Sequence, residues 1–89
     1  MLFAILADNM THLTKLGEFL VRKAVNKSLI SRRSGLSKQR LSELSTNPSS
    51  RLRADELYLI ALSIREDPAE LLRFVCGHLQ VEEEQTEQL

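Results

Sequence analysis

The sequence predicts a single, all-helical domain. Three observations carry the prediction: the chain has 89 residues, it holds only three Gly and two Pro, and its apolar residues recur at helical spacing. This length suffices for one modest core but excludes the barrels and doubly wound sheets on which most enzymes are built. An all-β sandwich is not expected either, because it needs more turn-forming residues than this chain contains.

Apolar residues at helical spacing predict a first helix from about Thr11 to Ala24. Thr11 or Asn9 is expected to be its N-cap, because a hydroxyl or amide oxygen there can accept from a first-turn N–H group. The buried side of this helix is predicted to contain Leu13, Leu16, Phe19, Leu20 and Ala24.

Two helices joined by a turn that contains glycine are predicted next. Asn26 caps a helix over 27–34, and Gly35 ends it because glycine adopts positive φ without strain. Ser37 caps the following helix, which runs to about Ser45. The residues expected to hold the two helices together are Ile30, Leu36, Leu41 and Leu44. This spacing is typical of the helix-turn-helix unit, whose second helix enters a DNA major groove.

A loop at 47–50, with the sequence Asn-Pro-Ser-Ser, precedes two more helices. The fourth helix is predicted over 54–64. The fifth begins at Pro68, because Asp67, Pro68 and Glu70 occupy the N-cap, N1 and N3 positions. Its apolar side is predicted to contain Leu71, Leu72, Val75 and Leu79.

The predicted domain spans residues 11–80, between an extension at 1–10 and an acidic tail at 81–89. The apolar run at 1–7 has no basic residues before it and is too short to cross a bilayer, so neither a secretion signal nor a membrane helix is expected. Two interpretations of the extension stay open. It packs on a partner protomer, or it is the product of an upstream start codon and the native protein lacks residues 1–9.

The net charge of zero conceals an uneven distribution. Residues 1–53 contain ten basic and three acidic residues, which give +7, whereas residues 54–89 contain two basic and nine acidic residues, which give −7. Such asymmetry favours an anionic partner for the first part, with nucleic acid the leading candidate. Two differently charged, solvated faces are the alternative. Aromatic residues are too few for a platform that stacks single-stranded bases.

No catalytic or metal-binding pattern is visible. Cys76 is the single cysteine and has no metal-ligand spacing with His12 or His78. Its isolation fits a reducing compartment, so we expect a cytoplasmic protein. We expect no enzymatic activity and no cofactor, because the sequence shows no nucleophile–base pair, carboxylate pair or phosphate-binding loop.

From Leu13 to about Leu79 the chain resembles the lambda-repressor-like helix-turn-helix family, the Cro/CI-type or XRE-type bacterial regulators. The residues that carry the resemblance are Leu16, Phe19, Val25, Ile30-Ser31, Gly35-Leu36-Ser37, Leu41, Leu44, Ile60-Ala61, Ile64 and the segment DPAELL. The tract RLSELSTNPSSRLRADELYLIAL is also similar to a small single-domain subgroup from Bacteroidetes. The resemblance implies a five-helix fold, DNA binding by the third helix and often a homodimer on a pseudo-palindromic operator. Leu20 and Ser45 depart from the family pattern, where Arg and Glu respectively are common.

The resemblance places Lys38 and Gln39 against the base edges, where Lys can donate to guanine and Gln can pair with adenine. One turn further along, Ser42 and Glu43 are the other candidates for base contacts. A solvated helix face is the alternative for Lys38 and Arg40, and an intrahelical partnership with Lys38 or Gln39 is the alternative for Glu43.

Contacts to the DNA backbone are expected from three places. The start of the second helix offers N–H groups to a phosphate, an arginine of the third helix grips another, and the following loop supplies hydroxyl and guanidinium groups. The residues concerned are Asn26, Lys27, Ser28, Ser37, Arg40, Ser49, Ser50, Arg51 and Arg53.

The sequence thus predicts a sequence-specific regulator that binds double-stranded DNA, with its third helix (about 37–45) in the major groove. The fifth helix is the candidate homodimer surface, through Leu72, Phe74, Val75 and Leu79. Two alternatives stay open: an antitoxin-type protein that binds DNA and a partner protein, and an interaction module that has lost DNA binding. The second alternative predicts a neutral or acidic third helix, whereas Lys38 and Arg40 make this one basic.

Overall fold

A computed structural model describes residues 12–82 of the chain. Those residues form five helices and no strand, which confirms the predicted all-helical fold. The helices are α1 (Lys15–Arg22), α2 (Lys27–Ser34), α3 (Lys38–Thr46), α4 (Ala54–Ser63) and α5 (Pro68–Cys76). The predicted extension at 1–10 and all but the first two residues of the predicted acidic tail lie outside the described range.

The first helix is shorter than predicted. It begins at Lys15 because Thr14 takes the N-cap position, where its hydroxyl oxygen accepts from the N–H of Gly17 at 3.1 Å. The same hydroxyl donates to the Leu44 carbonyl at 2.7 Å, which ties the start of α1 to α3. The prediction of a helix from Thr11 was therefore wrong. The predicted cap residues, Thr11 and Asn9, lie outside the described residues.

The end of α1 also differs from the prediction, because Ala24 adopts a left-handed conformation with φ of 54°. Its N–H donates to the Val21 carbonyl at 3.0 Å, and the N–H of Val25 donates to the Leu20 carbonyl at 3.3 Å. This is the Schellman arrangement, which satisfies the last carbonyl groups of a helix. A second one, with φ of 59° at Arg65, closes α4.

A single core joins the five helices. Its buried apolar side chains come from every one of them: Leu16, Phe19, Leu20, Ile30, Leu41, Leu44, Leu57, Ile60, Ala61 and Leu71. Helix α5 packs against α1 and α4, and α3 packs against α1 and α2. The predicted inclusion of Leu79 in the fifth helix was wrong, because α5 ends at Cys76 and Leu79 is 65% exposed.

The two departures from the family pattern lie where α1 meets α3. Leu20 is part of the core, and the buried Ser45 hydroxyl donates to the Leu41 carbonyl at 2.7 Å. A backbone hydrogen bond joins the two helices here, since the N–H of Thr14 donates to the Ser45 carbonyl at 2.9 Å. Gly17 permits this approach, because a Cβ there would collide with the Ser45 carbonyl oxygen.

Candidate DNA-binding surface

Helices α2 and α3 form the predicted helix-turn-helix. Gly35 ends α2 with φ of 83°, and its N–H donates to the Ser31 carbonyl at 3.0 Å. Ser37 caps α3, where its hydroxyl oxygen accepts from the N–H of Arg40 at 3.0 Å. The turn therefore has three residues, 35–37, with a defined cap on each side. Ile30 and Leu41, one from each helix, are buried in the core.

The four residues predicted to read bases are all exposed: Lys38, Gln39, Ser42 and Glu43. Their exposure follows from the burial of Leu41 and Leu44, which turns the other side of α3 to solvent. The start of α2 borders this surface, because the Lys27 ammonium lies 3.4 Å from the Ser42 hydroxyl. The structure thus brings Lys27 beside the exposed face of α3 that carries these four residues, which we call the reading face.

Glu43 has a different partner from those that the sequence suggested. Its carboxylate lies 3.6 Å from the Arg40 guanidinium, one helical turn earlier, rather than beside Lys38 or Gln39. The Glu43 side chain is exposed, and its contact with a base stays a prediction.

Arg40, whose contact with a phosphate stays a prediction, bonds to α4. Its guanidinium donates to both carboxylate oxygens of Glu56, from Nε at 2.8 Å and from Nη2 at 3.1 Å. Nη2 also donates to the Arg51 carbonyl at 2.9 Å. The guanidinium therefore joins the first turn of α3 to the following loop and to the start of α4.

Glu56 is the residue of this surface that the sequence analysis missed. Its side chain is only 9% exposed, and it also accepts from the N–H of Arg53 at 2.9 Å. The bond from Arg40 lowers the pKa of the Glu56 carboxyl below its ordinary value of 4.5 against the opposing effect of burial, and the Arg53 N–H lowers that pKa further. An acid at the N3 position of α4 was the available signal, since N3 carboxylates reach back to the N-cap N–H.

The start of α2 offers fewer N–H groups than predicted. The Asn26 side-chain oxygen accepts from the N–H of Ser28 at 2.6 Å and from the N–H of Leu29 at 3.3 Å. Of the three N–H groups expected to be free for a phosphate, that of Ser28 was predicted wrongly, because the cap uses it, whereas phosphate contacts at Asn26 and Lys27 stay predictions. Lys27 contributes an exposed ammonium group at the same place.

The loop after α3 is held by its own hydrogen bonds. The Asn47 side-chain oxygen accepts from the N–H of Ser49 at 2.9 Å, and the Ser50 hydroxyl lies within hydrogen-bond distance of the Asn47 and Glu43 carbonyl oxygens. Ser50 thus braces the end of α3, whereas Ser49 is exposed. The contacts of both serines with phosphate stay predictions.

Of the two loop arginines, Arg51 is exposed and Arg53 faces an acid. The Arg53 guanidinium donates to both carboxylate oxygens of Asp55, at 3.1 and 3.3 Å. Both groups of this pair are well exposed, so the pair contributes little to stability and can exchange for other partners. Phosphate contacts by Arg51 and Arg53 likewise stay predictions.

The helix-turn-helix agrees with a comparison of this sequence with known protein families. The family model described as the Cro/C1-type HTH DNA-binding domain matches residues 15–77. The chain belongs to this family. The match begins at the first residue of α1 and ends at the C-cap of α5, so it covers all five helices. No curated protein and no solved structure matches the chain significantly.

Membership in the Cro/C1-type family confirms the lambda-repressor-like resemblance and supports DNA as the partner. The narrower Bacteroidetes subgroup stays a prediction. In the described part of this Cro/C1-type domain, no helix is long and apolar enough to cross a membrane.

The residues predicted to form a dimer lie in different environments in this Cro/C1-type domain. Leu72 and Leu79 are 50% and 65% exposed. Phe74 and Val75 are half-buried against the core, and the Phe74 ring lies 5.4 Å from that of Phe19, centroid to centroid. Helix α4 also carries exposed apolar side chains that were not predicted from the sequence, namely Tyr58, Leu59 and Leu62. The dimer surface itself stays a prediction.

Proposed function

We propose that this Cro/C1-type domain is a sequence-specific transcriptional regulator that places α3 in the major groove of double-stranded DNA. The observation that carries the proposal is the exposed face formed by Lys38, Gln39 and Ser42, opposite the buried side of α3. An ammonium, an amide and a hydroxyl on one short helix can address guanine, adenine or a phosphate within a few base pairs. The antitoxin-type alternative would use the same face.

Groups suited to phosphate lie on both sides of the reading face. Lys27 is exposed at the start of α2, and Ser49 and Arg51 are exposed in the loop after α3. Contacts of this kind fix the position of a protein on the duplex without reading its sequence. They would hold α3 in register over the base pairs that Lys38 and Gln39 contact.

We also propose that two copies bind a pseudo-palindromic operator. In this arrangement the half-sites lie about 34 Å apart, which is one turn of the duplex. Leu72 and Leu79 are the exposed apolar residues of the predicted dimer surface that remain available for this contact.

The first prediction concerns direct base reading and uses a duplex selected by the wild-type protein from a randomised pool. We expect Lys38→Ala and Gln39→Ala each to cost about 1–3 kcal/mol in binding to that duplex and to relax its sequence preference, because each substitution removes a base-edge contact. Fluorescence anisotropy over a series of salt concentrations measures both the affinity and its salt dependence.

Arg73→Ala is the matched control, since it removes one exposed positive charge from α5. Its affinity and sequence preference should stay close to wild type. The proposal would be supported if the logarithm of the binding constant falls against the logarithm of the salt concentration with a slope near −0.9 per neutralised phosphate. Absence of binding even at low salt would contradict it and favour an interaction module that has lost DNA binding.

A further inference from the structure

The Arg40–Glu56 pair connects the first turn of α3, which carries Lys38 and Gln39, to α4. We infer that Arg40 and Glu56 are positioning residues, which set the placement of Lys38 and Gln39 over the bases, and that Arg40 does not serve as a phosphate contact. This inference rests on the proposed function. It concerns how the domain discriminates between sequences rather than whether it binds DNA.

The two ends of α3 are held in different ways. Near its C-terminal end, Leu44 lies in the core and the Ser45 carbonyl accepts from the N–H of Thr14. In the first turn, Lys38 and Gln39 are exposed, and Arg40 bonds to Glu56 through two N–H groups. A planar guanidinium on a carboxylate fixes direction as well as distance, so this pair restrains the rotation and tilt of that turn.

The acceptor side of the pair is itself well fixed. Glu56 is buried, and its Oε1 also accepts from the Arg53 N–H at the N-terminus of α4, where a negative charge is favourable. The Arg51 carbonyl oxygen accepts a third hydrogen bond from the Arg40 guanidinium. A guanidinium bound to this carboxylate and adjacent to Glu43 has its charge compensated within the protein, so it would displace few counterions from DNA.

Glu56→Gln distinguishes the two possible roles of Arg40, because they predict opposite changes in DNA affinity. If the pair positions α3, the substitution weakens binding to the selected duplex about tenfold, the effect of losing one base contact. Binding to a scrambled duplex and the salt slope then stay unchanged. If Arg40 grips a phosphate, the substitution releases the guanidinium, so binding to both duplexes strengthens and the salt slope becomes steeper.

The experiment measures anisotropy against both duplexes for wild type, Glu56→Gln, Arg40→Gln and the double variant. Glu66→Gln is the matched control, since it makes the same change of charge in an ion pair, with Lys23, that does not involve α3. We expect the double variant to bind no more weakly than either single variant, because both remove one interaction. A salt slope reduced by about 0.9 in Arg40→Gln alone would overturn the inference.

Two further measurements distinguish a loss of positioning in α3 from a general loss of stability in a variant. Arg40→Lys retains the charge and loses the two-pronged geometry, so we expect it to lose discrimination without a change in salt slope. In Glu56→Gln, amide hydrogen exchange should accelerate at Arg40 and Leu41, whose N–H groups bond to Ser37 in the first turn. Unchanged exchange together with unchanged discrimination would overturn the inference, whereas a wild-type protein that binds no DNA would contradict the proposed function itself.

Discussion

At the scale of single residues, α1 and α4 each end at a residue whose side chain disfavours the backbone conformation found there. Ala24 and Arg65 each adopt positive φ, a conformation that costs an L-residue about 1–2 kcal/mol and costs glycine almost nothing. Both residues are held there by a pair of hydrogen bonds that close the helix end. These hydrogen bonds offset part of the strain, because they supply donors from the chain itself to carbonyl groups of the last turn.

We predict that Ala24→Gly stabilises the domain by up to about 1 kcal/mol, since the relief of strain exceeds the entropy that glycine adds to the unfolded chain. Urea denaturation followed by circular dichroism measures the change. Ala69→Gly in α5 is the control and should destabilise the protein, because its backbone is helical. A loss of stability in Ala24→Gly would contradict the left-handed assignment.

At the scale of the elements, one carboxylate couples α3, α4 and the loop between them. Glu56 accepts from the Arg40 guanidinium and from the Arg53 N–H, and these bonds depress its pKa. A carboxyl whose pKa is lower in the folded state than in the unfolded state stabilises the fold above the unfolded value. That contribution disappears as the pH falls through the lower, folded value.

We therefore predict that Glu56→Gln is less stable than wild type at pH 7 and that the difference narrows below about pH 4.5, the ordinary value for this carboxyl. At a pH where Glu56 is protonated in both folded and unfolded states, the two proteins should be nearly equal. Urea midpoints between pH 7 and pH 3 test this expectation. Glu70→Gln, which removes an exposed carboxylate from α5, controls for the change of net charge.

At the scale of the whole molecule, ion pairs link the basic and acidic parts of the chain. Within residues 12–82, three cations from the basic part face acids from the acidic part, in the pairs Lys23–Glu66, Arg40–Glu56 and Arg53–Asp55. Part of the charge asymmetry that suggested an anionic partner is therefore compensated inside the fold. Lys27, Lys38 and Arg51 remain exposed around the reading face, so the salt slope should reflect a few phosphates per protomer.

The dimer prediction also belongs to this scale. We expect Leu72→Asp to shift the protein from dimer to monomer, because a carboxylate there would be buried at the proposed interface. The monomer should keep its fold, since Leu72 is half exposed. Sedimentation equilibrium measures the change. Leu62→Asp, on the exposed side of α4, is the control. A dimer lost in that control and kept in Leu72→Asp would move the interface to α4.

Local sequence determined the fold class, the order of the helices and the helix-turn-helix. Asn26, Ser37 and Asp67 cap helices as predicted, and Gly35 ends α2, because cap and turn residues act on the few residues that follow or precede them. The exposed face of α3 was predictable for a similar reason, since the spacing of Leu41 and Leu44 defines the opposite side.

Tertiary structure decided the rest. Arg40 lies 16 residues from Glu56, and Thr14 lies 30 residues from Leu44, so no local pattern could show that these residues bond. The same holds for Phe74, which packs on Phe19 although its type suits an interface equally well. The sequence by itself determined which side chains this domain can offer to DNA. The packing of α3 against α1 and α2, together with the bond from Arg40 to Glu56 on α4, decided which of them take part in the fold itself, because burial and charge compensation depend on residues that are distant along the chain.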